Sequence, residues 1–149
     1  MQIAATMQPS AAVNPNDDPG GFGVHIPFAN LLGIRVVEQT RDKATLHVHL
    51  KPEFLNSWGV ANGGVVMTML DLCMGAAVRG HLGQALSVLT IDASMSFMNP
   101  ARSDFTATGR VLRPGKSMMF CEAEAHDADG TLLAKALGTM KAMLPKEDK

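Results

Sequence analysis

Asp71 is the residue of this sequence whose surroundings most suggest chemistry. It lies between Leu70 and Leu72, inside an apolar run, residues 63–80, that predicts one helix. Burying an unpaired carboxylate costs several kcal/mol, so a chain with no use for it would carry an apolar residue there. We interpret Asp71 as an acid/base or nucleophilic group. The alternative is an Asp that reaches solvent or caps a neighbouring segment.

The tripeptide Asn62-Gly63-Gly64 precedes that helix. Asn is a preferred N-cap residue, and glycines let another molecule approach the backbone closely. The N–H groups of a first helical turn have no intrahelical partners and lie at the positive end of the helix dipole. The Gly64 N–H is therefore a candidate donor to an oxyanion or a polarised carbonyl. The alternative is a capped helix with a tight entry turn.

The spacing of these two features predicts an assembly. Gly64 and Asp71 are seven residues apart, which separates them by about 10 Å along a helix. Attack needs reacting atoms within about 3–3.5 Å, so Asp71 cannot reach a carbonyl held by Gly64 of its own helix. Two such helices packed antiparallel across a two-fold axis bring each Gly64 near the other Asp71. We expect a homodimer with two equivalent shared sites.

Composition excludes several classes of protein. The 149 residues are the length of one domain, and 18% of them are charged with a net charge of −1. A general nucleic-acid binder would need a basic surface, so we expect no nucleic-acid partner. Between residues 54 and 101 the only charged residues are Asp71, Arg79 and Asp92, which predicts burial on more than one side. No signal peptide or membrane span is evident, and we expect a cytoplasmic protein without a membrane partner.

The chain divides into a predicted disordered tail over residues 1–23, one domain over residues 24–145 and a polar tail over residues 146–149. The predicted elements are a short helix (25–32), two strands (34–40, 44–50), the long helix (63–80) and four strands (86–98, 104–113, 117–127, 131–144). This is an α+β fold, an antiparallel sheet of about six strands wrapped around one long helix. One side of that helix stays uncovered, which again indicates a partner subunit.

Alternation in the strand over residues 86–98 predicts which side chains share a face. The apolar face is expected to carry Leu89, Ile91, Ala93, Met95 and Phe97. The polar face is expected to carry Thr90, Asp92, Ser94 and Ser96.

Together these motifs resemble the hotdog-fold acyl-CoA thioesterases of the phenylacetate-degradation (PaaI-like) type. The similarity covers residues 25–144 and rests on Asn56-Ser57-Trp58-Gly59-Val60-Ala61-Asn62-Gly63-Gly64, Met69-Leu70-Asp71, Thr90-Ile91-Asp92, Phe97-Met98-Asn99-Pro100-Ala101, Arg113-Pro114-Gly115-Lys116 and Glu122-Ala123-Glu124. The resemblance implies hydrolysis of an acyl-CoA to acid and CoA, with no metal or other cofactor. It also implies a homotetramer built as a dimer of dimers.

The resemblance also implies roles for single residues. Asp71 matches a general base or nucleophile that acts from the opposite subunit, and the Gly64 N–H matches the oxyanion donor. Asn56 matches a residue that holds the attacking water in some members, and Thr90 matches a hydroxyl that helps to position that water. Asn62 departs from the pattern, because the family usually has His-Gly-Gly. An Asn keeps a hydrogen-bond donor but cannot titrate near neutral pH.

Several residues are expected to contact substrate. Asn62 and Gly63 lie beside the predicted thioester position. Trp58 either walls the acyl pocket or holds its loop against the core. Arg113 and Lys116, in a turn, either meet the CoA phosphates or are simply solvated.

A metal site is not predicted. His47 and His49 share a strand face, but no third ligand is evident, and Cys73 and Cys121 lack a CxxC spacing.

Two alternatives to a thioesterase use the same fold. A non-hydrolytic protein that binds or senses acyl-CoA or acyl-carrier thioesters is favoured by Asn62. A hydratase or dehydratase would need an Asp and a His at one carbon. The missing histidine at position 62, and the lack of another well-placed one, count against the second alternative.

Overall fold

The computed structural model of the protein describes residues 13–83 and 87–143. Its elements in chain order are helix α1 (Pro27–Leu32), strands β1 (Arg35–Gln39) and β2 (Ala44–Val48), a 3-10 turn (Pro52–Phe54), helix α2 (Gly63–Leu82), and strands β3 (Ser87–Phe97), β4 (Phe105–Pro114), β5 (Met118–Asp127) and β6 (Leu132–Met143). The predicted order of elements is confirmed.

The six strands form one antiparallel sheet in the order β1-β2-β4-β5-β6-β3. Helix α2 packs across this sheet and contacts every strand. Its residues Met69, Leu70, Cys73 and Met74 are fully buried. The structure therefore has the expected hotdog architecture. By length and composition α2 could also cross a membrane, but here it is the core helix of the domain.

The C-terminal end of α2 differs from the prediction. The sequence predicts that the helix ends at Gly80, but it continues to Leu82. The residue that follows, Gly83, caps the helix with a left-handed φ of 66°. Gly80 has a packing role instead, since a Cβ atom there would collide with the backbone oxygen of Thr40. Both positions carry glycine, and only the close approach of α2 to the β1–β2 hairpin distinguishes their roles.

One side of α2 is not covered by its own sheet. Gly64 and Met67 are exposed, and Thr68 and Asp71 are partly exposed. These four residues recur at i, i+3, i+4 and i+7, so they form one line along the helix, here named the α2 stripe. The predicted uncovered side is confirmed, and both Gly64 and Asp71 lie on it.

A β-bulge at Ile91 changes the faces predicted for β3. Thr90 lies opposite Met140, whereas Asp92 lies opposite Thr139. Directly opposed residues share a face of the sheet, so Thr90 is on the same face as buried Met140, towards α2. The prediction that Thr90 shares a face with Asp92 is therefore wrong, because the extra residue shifts the alternation. Beyond the bulge the predicted apolar face is confirmed for Ala93, Met95 and Phe97. These residues lie opposite Gly138, Ala136 and Ala134, on the side of the sheet that faces α2.

The N-terminal segment packs on the domain where the structure describes it. In residues 13–23, part of the predicted tail, Phe22 is only 2% exposed. The Asp18 carboxylate accepts hydrogen bonds from the N–H groups of Phe22 (2.8 Å) and Gly23 (2.7 Å). The described domain thus begins before residue 24. The rest of the predicted tail, residues 1–12, and residues 144–149 lie outside the described residues.

Candidate active site

Asp71 lies midway along α2 with its carboxylate towards β3. The Thr90 hydroxyl donates a hydrogen bond of 2.5 Å to Asp71 Oδ1. Both residues line one cavity of about 250 Å³. The sequence predicted both residues for the site, and the structure brings them into direct contact because the β3 bulge turns Thr90 inward.

Asn62 is the N-cap of α2, as predicted. Its Oδ1 accepts a hydrogen bond of 2.8 Å from the Gly64 N–H. This bond occupies the group predicted to hold the substrate carbonyl. Both residues are exposed, so the Asn62 side chain has room to turn away and release that N–H.

Gly64 opens on a second and larger space. It lines a groove of about 720 Å³ whose walls are mostly apolar and include Phe28, Leu31 and Phe54. Lys51 also lines this groove, with its ammonium 5.7 Å from the centre of the Phe54 ring. Sequence reasoning did not single out Lys51, because the fold alone brings the start of the 3-10 turn next to α2.

The cavity at Asp71 and the groove at Gly64 share no lining residue. Their separation agrees with the distance of about 10 Å expected for seven residues of helix. Within one chain, a carbonyl bound at the Gly64 N–H is therefore out of reach of Asp71. Both openings border the α2 stripe, which is the uncovered side of the helix.

Asn56 shapes the loop before α2. Its Oδ1 accepts hydrogen bonds from the N–H groups of Trp58 (2.9 Å) and Val60 (3.4 Å). Asn56 lines a small cavity together with Gly63, and not the cavity of Asp71. The side-chain oxygen thus holds the loop, and the Asn56 amide nitrogen is the part that can meet a ligand.

Trp58 is 87% exposed. The alternative in which it holds the loop against the core of its own chain is therefore wrong. It lines a shallow depression with Asn56 and Arg102, outside the Gly64 groove.

Two cavity residues were missed as site residues. His25 and Arg79 line the same cavity as Asp71. His25 corrects the expectation that no second histidine is well placed. Its Nδ1 lies 2.6 Å from the Asp17 carbonyl oxygen. No sequence motif predicts this contact within the N-terminal segment. Arg79 did carry a signal, since it is one of three charges in the charge-poor segment and lies eight residues after Asp71.

Arg113 and Lys116 lie in and beside the turn between β4 and β5, and both are exposed. Neither lines the cavity of Asp71 or the groove of Gly64. Contact with CoA phosphates stays a prediction for both.

His47 and His49 converge on Asp104. The His49 Nδ1 lies 3.0 Å from Asp104 Oδ1, and the His47 Nε2 lies 4.0 Å from Oδ2. The hydrogen bond from His49, followed by the bond from the Leu50 N–H, lowers the pKa of the Asp104 carboxyl. Among residues 13–83 and 87–143, no group of three or more His, Cys, Asp or Glu side chains has the geometry of a metal site.

Comparisons with known proteins show the family of this chain. A sequence model described as the thioesterase superfamily matches residues 59–134. The medium/long-chain acyl-CoA thioesterase YigI of Salmonella typhimurium is 30% identical over 134 residues, covering 79% of this chain and 86% of YigI.

Solved structures show the same fold. A thioesterase family protein from Silicibacter pomeroyi is 25% identical with a TM-score of 0.74, covering 80% of this chain and 91% of that chain. The PaaI protein of Escherichia coli, from the phenylacetic acid degradation operon, has a TM-score of 0.73 and covers 80% of this chain and 86% of its own. At 19% identity, the second similarity concerns the fold alone.

Proposed function

Because the chain is an enzyme of the thioesterase superfamily, we propose that it hydrolyses an acyl-CoA thioester to a free acid and CoA. The observation that carries this proposal is Asp71, a partly exposed carboxylate on the uncovered side of the core helix, bonded to the Thr90 hydroxyl and open to a cavity. The name of the relative YigI, an acyl-CoA thioesterase, supports acyl-CoA as the substrate class.

The reaction takes place between two subunits. The thioester carbonyl oxygen accepts a hydrogen bond from the Gly64 N–H of one subunit, and the carbonyl carbon faces Asp71 of the partner subunit. The Asp71 carboxylate removes a proton from water, the water oxygen bonds to the carbonyl carbon, and the C–S bond breaks. The proton then passes to the departing CoA thiolate. In the competing route the carboxylate itself attacks and forms an anhydride, which water hydrolyses.

The Asn62 side chain must move before the carbonyl can bind. Its bond to the Gly64 N–H caps the helix, and losing an N-cap costs about 1 kcal/mol. The carbonyl, and later the oxyanion, replaces that bond with one that strengthens as negative charge develops. The occupied Gly64 N–H is the observation that favours the alternative function, a protein that binds thioesters without hydrolysing them. Membership of the thioesterase superfamily favours hydrolysis.

A homodimer supplies the missing half of each site. The α2 stripe is uncovered, and β3 is an edge strand with exposed Leu89, Ile91 and Phe97 along its length. A long, exposed, apolar edge strand promotes aggregation unless another segment or chain pairs with it. Pairing of β3 with β3 of a second copy across a two-fold axis continues the sheet and runs the two α2 helices antiparallel.

A dimer of dimers is supported by the other face of the sheet. Phe120 and Leu137 lie on the face away from α2 and are 47% and 55% exposed. Apolar side chains on that face can be buried between two dimers, which gives the homotetramer.

Mixing two inactive variants tests the shared site. Asp71→Asn removes the carboxylate, and Gly64→Pro removes the N–H in the first helical turn, where proline is tolerated. In a heterodimer one site carries both defects and the other carries neither. Co-refolding equal amounts should therefore restore roughly one quarter of wild-type activity, since half of the dimers are mixed. No recovery, with dimers formed in the mixture, would place both groups in one subunit.

The two chemical routes are separated by a single turnover in heavy-oxygen water. Oxygen label in the Asp71 carboxylate indicates the anhydride route, whereas label in the released acid alone is expected both from general-base catalysis and from an anhydride that water opens at the acyl carbon. An assay from short-chain to aryl and long-chain acyl-CoAs, with Asp71→Asn as the blank, tests hydrolysis itself. Binding of these thioesters without turnover would decide for the binding protein.

A further inference from the structure

Arg79 is the one charged residue that is buried in the part of the chain described by the structure, at 7% exposed. Its Nε and Nη2 atoms are buried and have no hydrogen-bond partner among those residues. Burial lowers the pKa of this guanidinium to about 10, a shift that the charge of Asp18 opposes. An unpaired buried cation is costly, and removing its cost requires an acceptor.

Asp18, whose charge opposes the lowered pKa of Arg79, does not supply that acceptor. Both carboxylate oxygens of Asp18 are engaged by the N–H groups of Phe22 and Gly23. Asp18 therefore stabilises the N-terminal loop and does not pair with the buried Nε and Nη2 donors of Arg79.

The guanidinium points along α2 towards Asp71. Asp71, Gly75 and Arg79 recur every fourth residue, so they lie on one side of the helix. The Arg79 Nη1 lies 3.8 Å from the position that a Cβ atom on Gly75 would take, so the charged head rests beside Gly75. A long side chain at position 75 would displace it. Asp71, Arg79, Thr90 and His25 line the same cavity of about 250 Å³.

The spacing defines what the cavity can hold. Gly75 is one turn from Asp71, so the guanidinium and the carboxylate are about 6 Å apart along the helix axis. A saturated chain advances about 1.2 Å per bond, so about four or five bonds cover this distance. The rigid fork of a guanidinium matches a carboxylate, to which it donates two parallel hydrogen bonds.

We propose that Arg79 binds a carboxylate at the far end of the acyl chain, so that the preferred substrates are CoA half-thioesters of dicarboxylic acids of about five or six carbons. The inference rests on the proposed function, which places the thioester beside Asp71. The acyl group then enters the cavity of Asp71, and the pantetheine arm lies in the apolar groove at Gly64 of the partner subunit. A long alkyl chain would meet the guanidinium with no group to pair with it.

The experiment compares adipyl-CoA with hexanoyl-CoA, which differ only in the terminal carboxylate. For the wild-type protein, kcat/KM should be at least about 10-fold higher for adipyl-CoA, and Arg79→Met should reduce that ratio by about 10- to 100-fold. Arg79→Lys keeps the charge without the fork and should give an intermediate ratio. Arg35→Met, which removes an exposed arginine on β1, is the matched control and should leave the ratio unchanged.

Two outcomes would overturn the inference. The first is a wild-type kcat/KM for adipyl-CoA that is equal to or lower than the value for hexanoyl-CoA. The second is an equal loss with both substrates in Arg79→Met, together with a lower melting temperature, which would assign Arg79 a structural role.

Failure of the proposed function is distinguished by binding. If no thioester is hydrolysed, calorimetric titration of the wild-type protein and of Asp71→Asn with the same pair still measures the preference. Tighter binding of adipyl-CoA that disappears in Arg79→Met supports the inference, and equal binding of the two ligands contradicts it.

Discussion

The two ends of the α2 stripe offer different chemistry. At Gly64 the functional group is a backbone N–H at the start of a helix, beside an open and mostly apolar groove of about 720 Å³. At Asp71 the functional groups are side chains, a carboxylate and a hydroxyl, in a smaller cavity of about 250 Å³ that also contains a buried guanidinium. In the proposed mechanism, the Gly64 end stabilises negative charge on a carbonyl oxygen and the Asp71 end transfers protons. Hydrolysis of a thioester needs both functions, so in this proposal each chain contributes two half-sites.

Replacing the Asp71 carboxylate should give the largest loss of activity, and it tests the Asp71 end of the α2 stripe directly. Asp71→Asn keeps the shape of the side chain but cannot accept a proton, so kcat should fall by about 10²- to 10⁴-fold. Hydrolysis of acyl-CoA by the purified protein measures this loss, and the melting temperature checks the fold. Asp104→Asn, at a carboxylate outside the cavity, is the control. Near-wild-type turnover of Asp71→Asn would remove Asp71 from the mechanism.

Removing the Thr90 hydroxyl, which contacts Asp71, tests a second group at the same end of the α2 stripe. Thr90→Val is close in shape and loses the bond of 2.5 Å to Asp71 Oδ1, so kcat should fall by about 10-fold. Ser94→Ala changes a hydroxyl on the opposite face of β3, opposite Leu137, and should leave kcat unchanged. Equal effects of the two substitutions would show that the Thr90 bond has no part in catalysis.

Releasing the Gly64 N–H tests the other end and should give a smaller effect of opposite sign. Asn62→Gly removes the competing side-chain acceptor and costs only a few tenths of a kcal/mol of helix stability. We expect kcat/KM to rise by about 2- to 5-fold, because the carbonyl no longer displaces a cap. Asn62→His, measured beside it, shows whether the histidine usual in the family adds more. A fall in Asn62→Gly would mean that Asn62 contacts the substrate.

A carboxylate outside the two half-sites should give the smallest effect. The bond from His49 lowers the pKa of Asp104, so its contribution to stability is present above the ordinary pKa and is lost as pH falls through the lowered pKa. Because the pair is exposed, Asp104→Asn should cost about 0.5–1 kcal/mol near pH 6. Urea midpoints for both proteins should converge as pH falls below about 4. A constant difference at all pH values would show that the charge of Asp104 does not matter.

The prediction of the fold from sequence succeeds where local rules and burial agree. The apolar run of α2 and the alternation of β2 need no knowledge of the partner strands, and both are confirmed. The C-terminal end of α2 could not be predicted in this way. A glycine is favoured just after a helix, and that rule alone does not distinguish Gly80 from Gly83. Packing of Gly80 against Thr40 decides that the helix continues.

The candidate site divides in the same way. Asp71, Asn62 and Gly64 stand out in the sequence, since a charge in an apolar helix and an Asn-Gly-Gly entry are local features. The orientation of Thr90 depends on the bulge at Ile91, a property of how β3 pairs with β6. The cavity that Arg79 lines is completed by residues from distant segments of the chain, including Val24 and Val88.

By itself the sequence determined a charge-poor helix with one carboxylate, a first-turn Gly64 N–H seven residues before it, and a separation too long for the two groups to meet within one chain. These follow from residue type and helical rise, which are local quantities. Tertiary structure alone decided that the Asn62 side chain occupies the Gly64 N–H, that Thr90 contacts Asp71 and that Arg79 faces the same cavity. Such contacts are set by strand register and by packing between distant segments, and residue spacing along the chain carries no information about either.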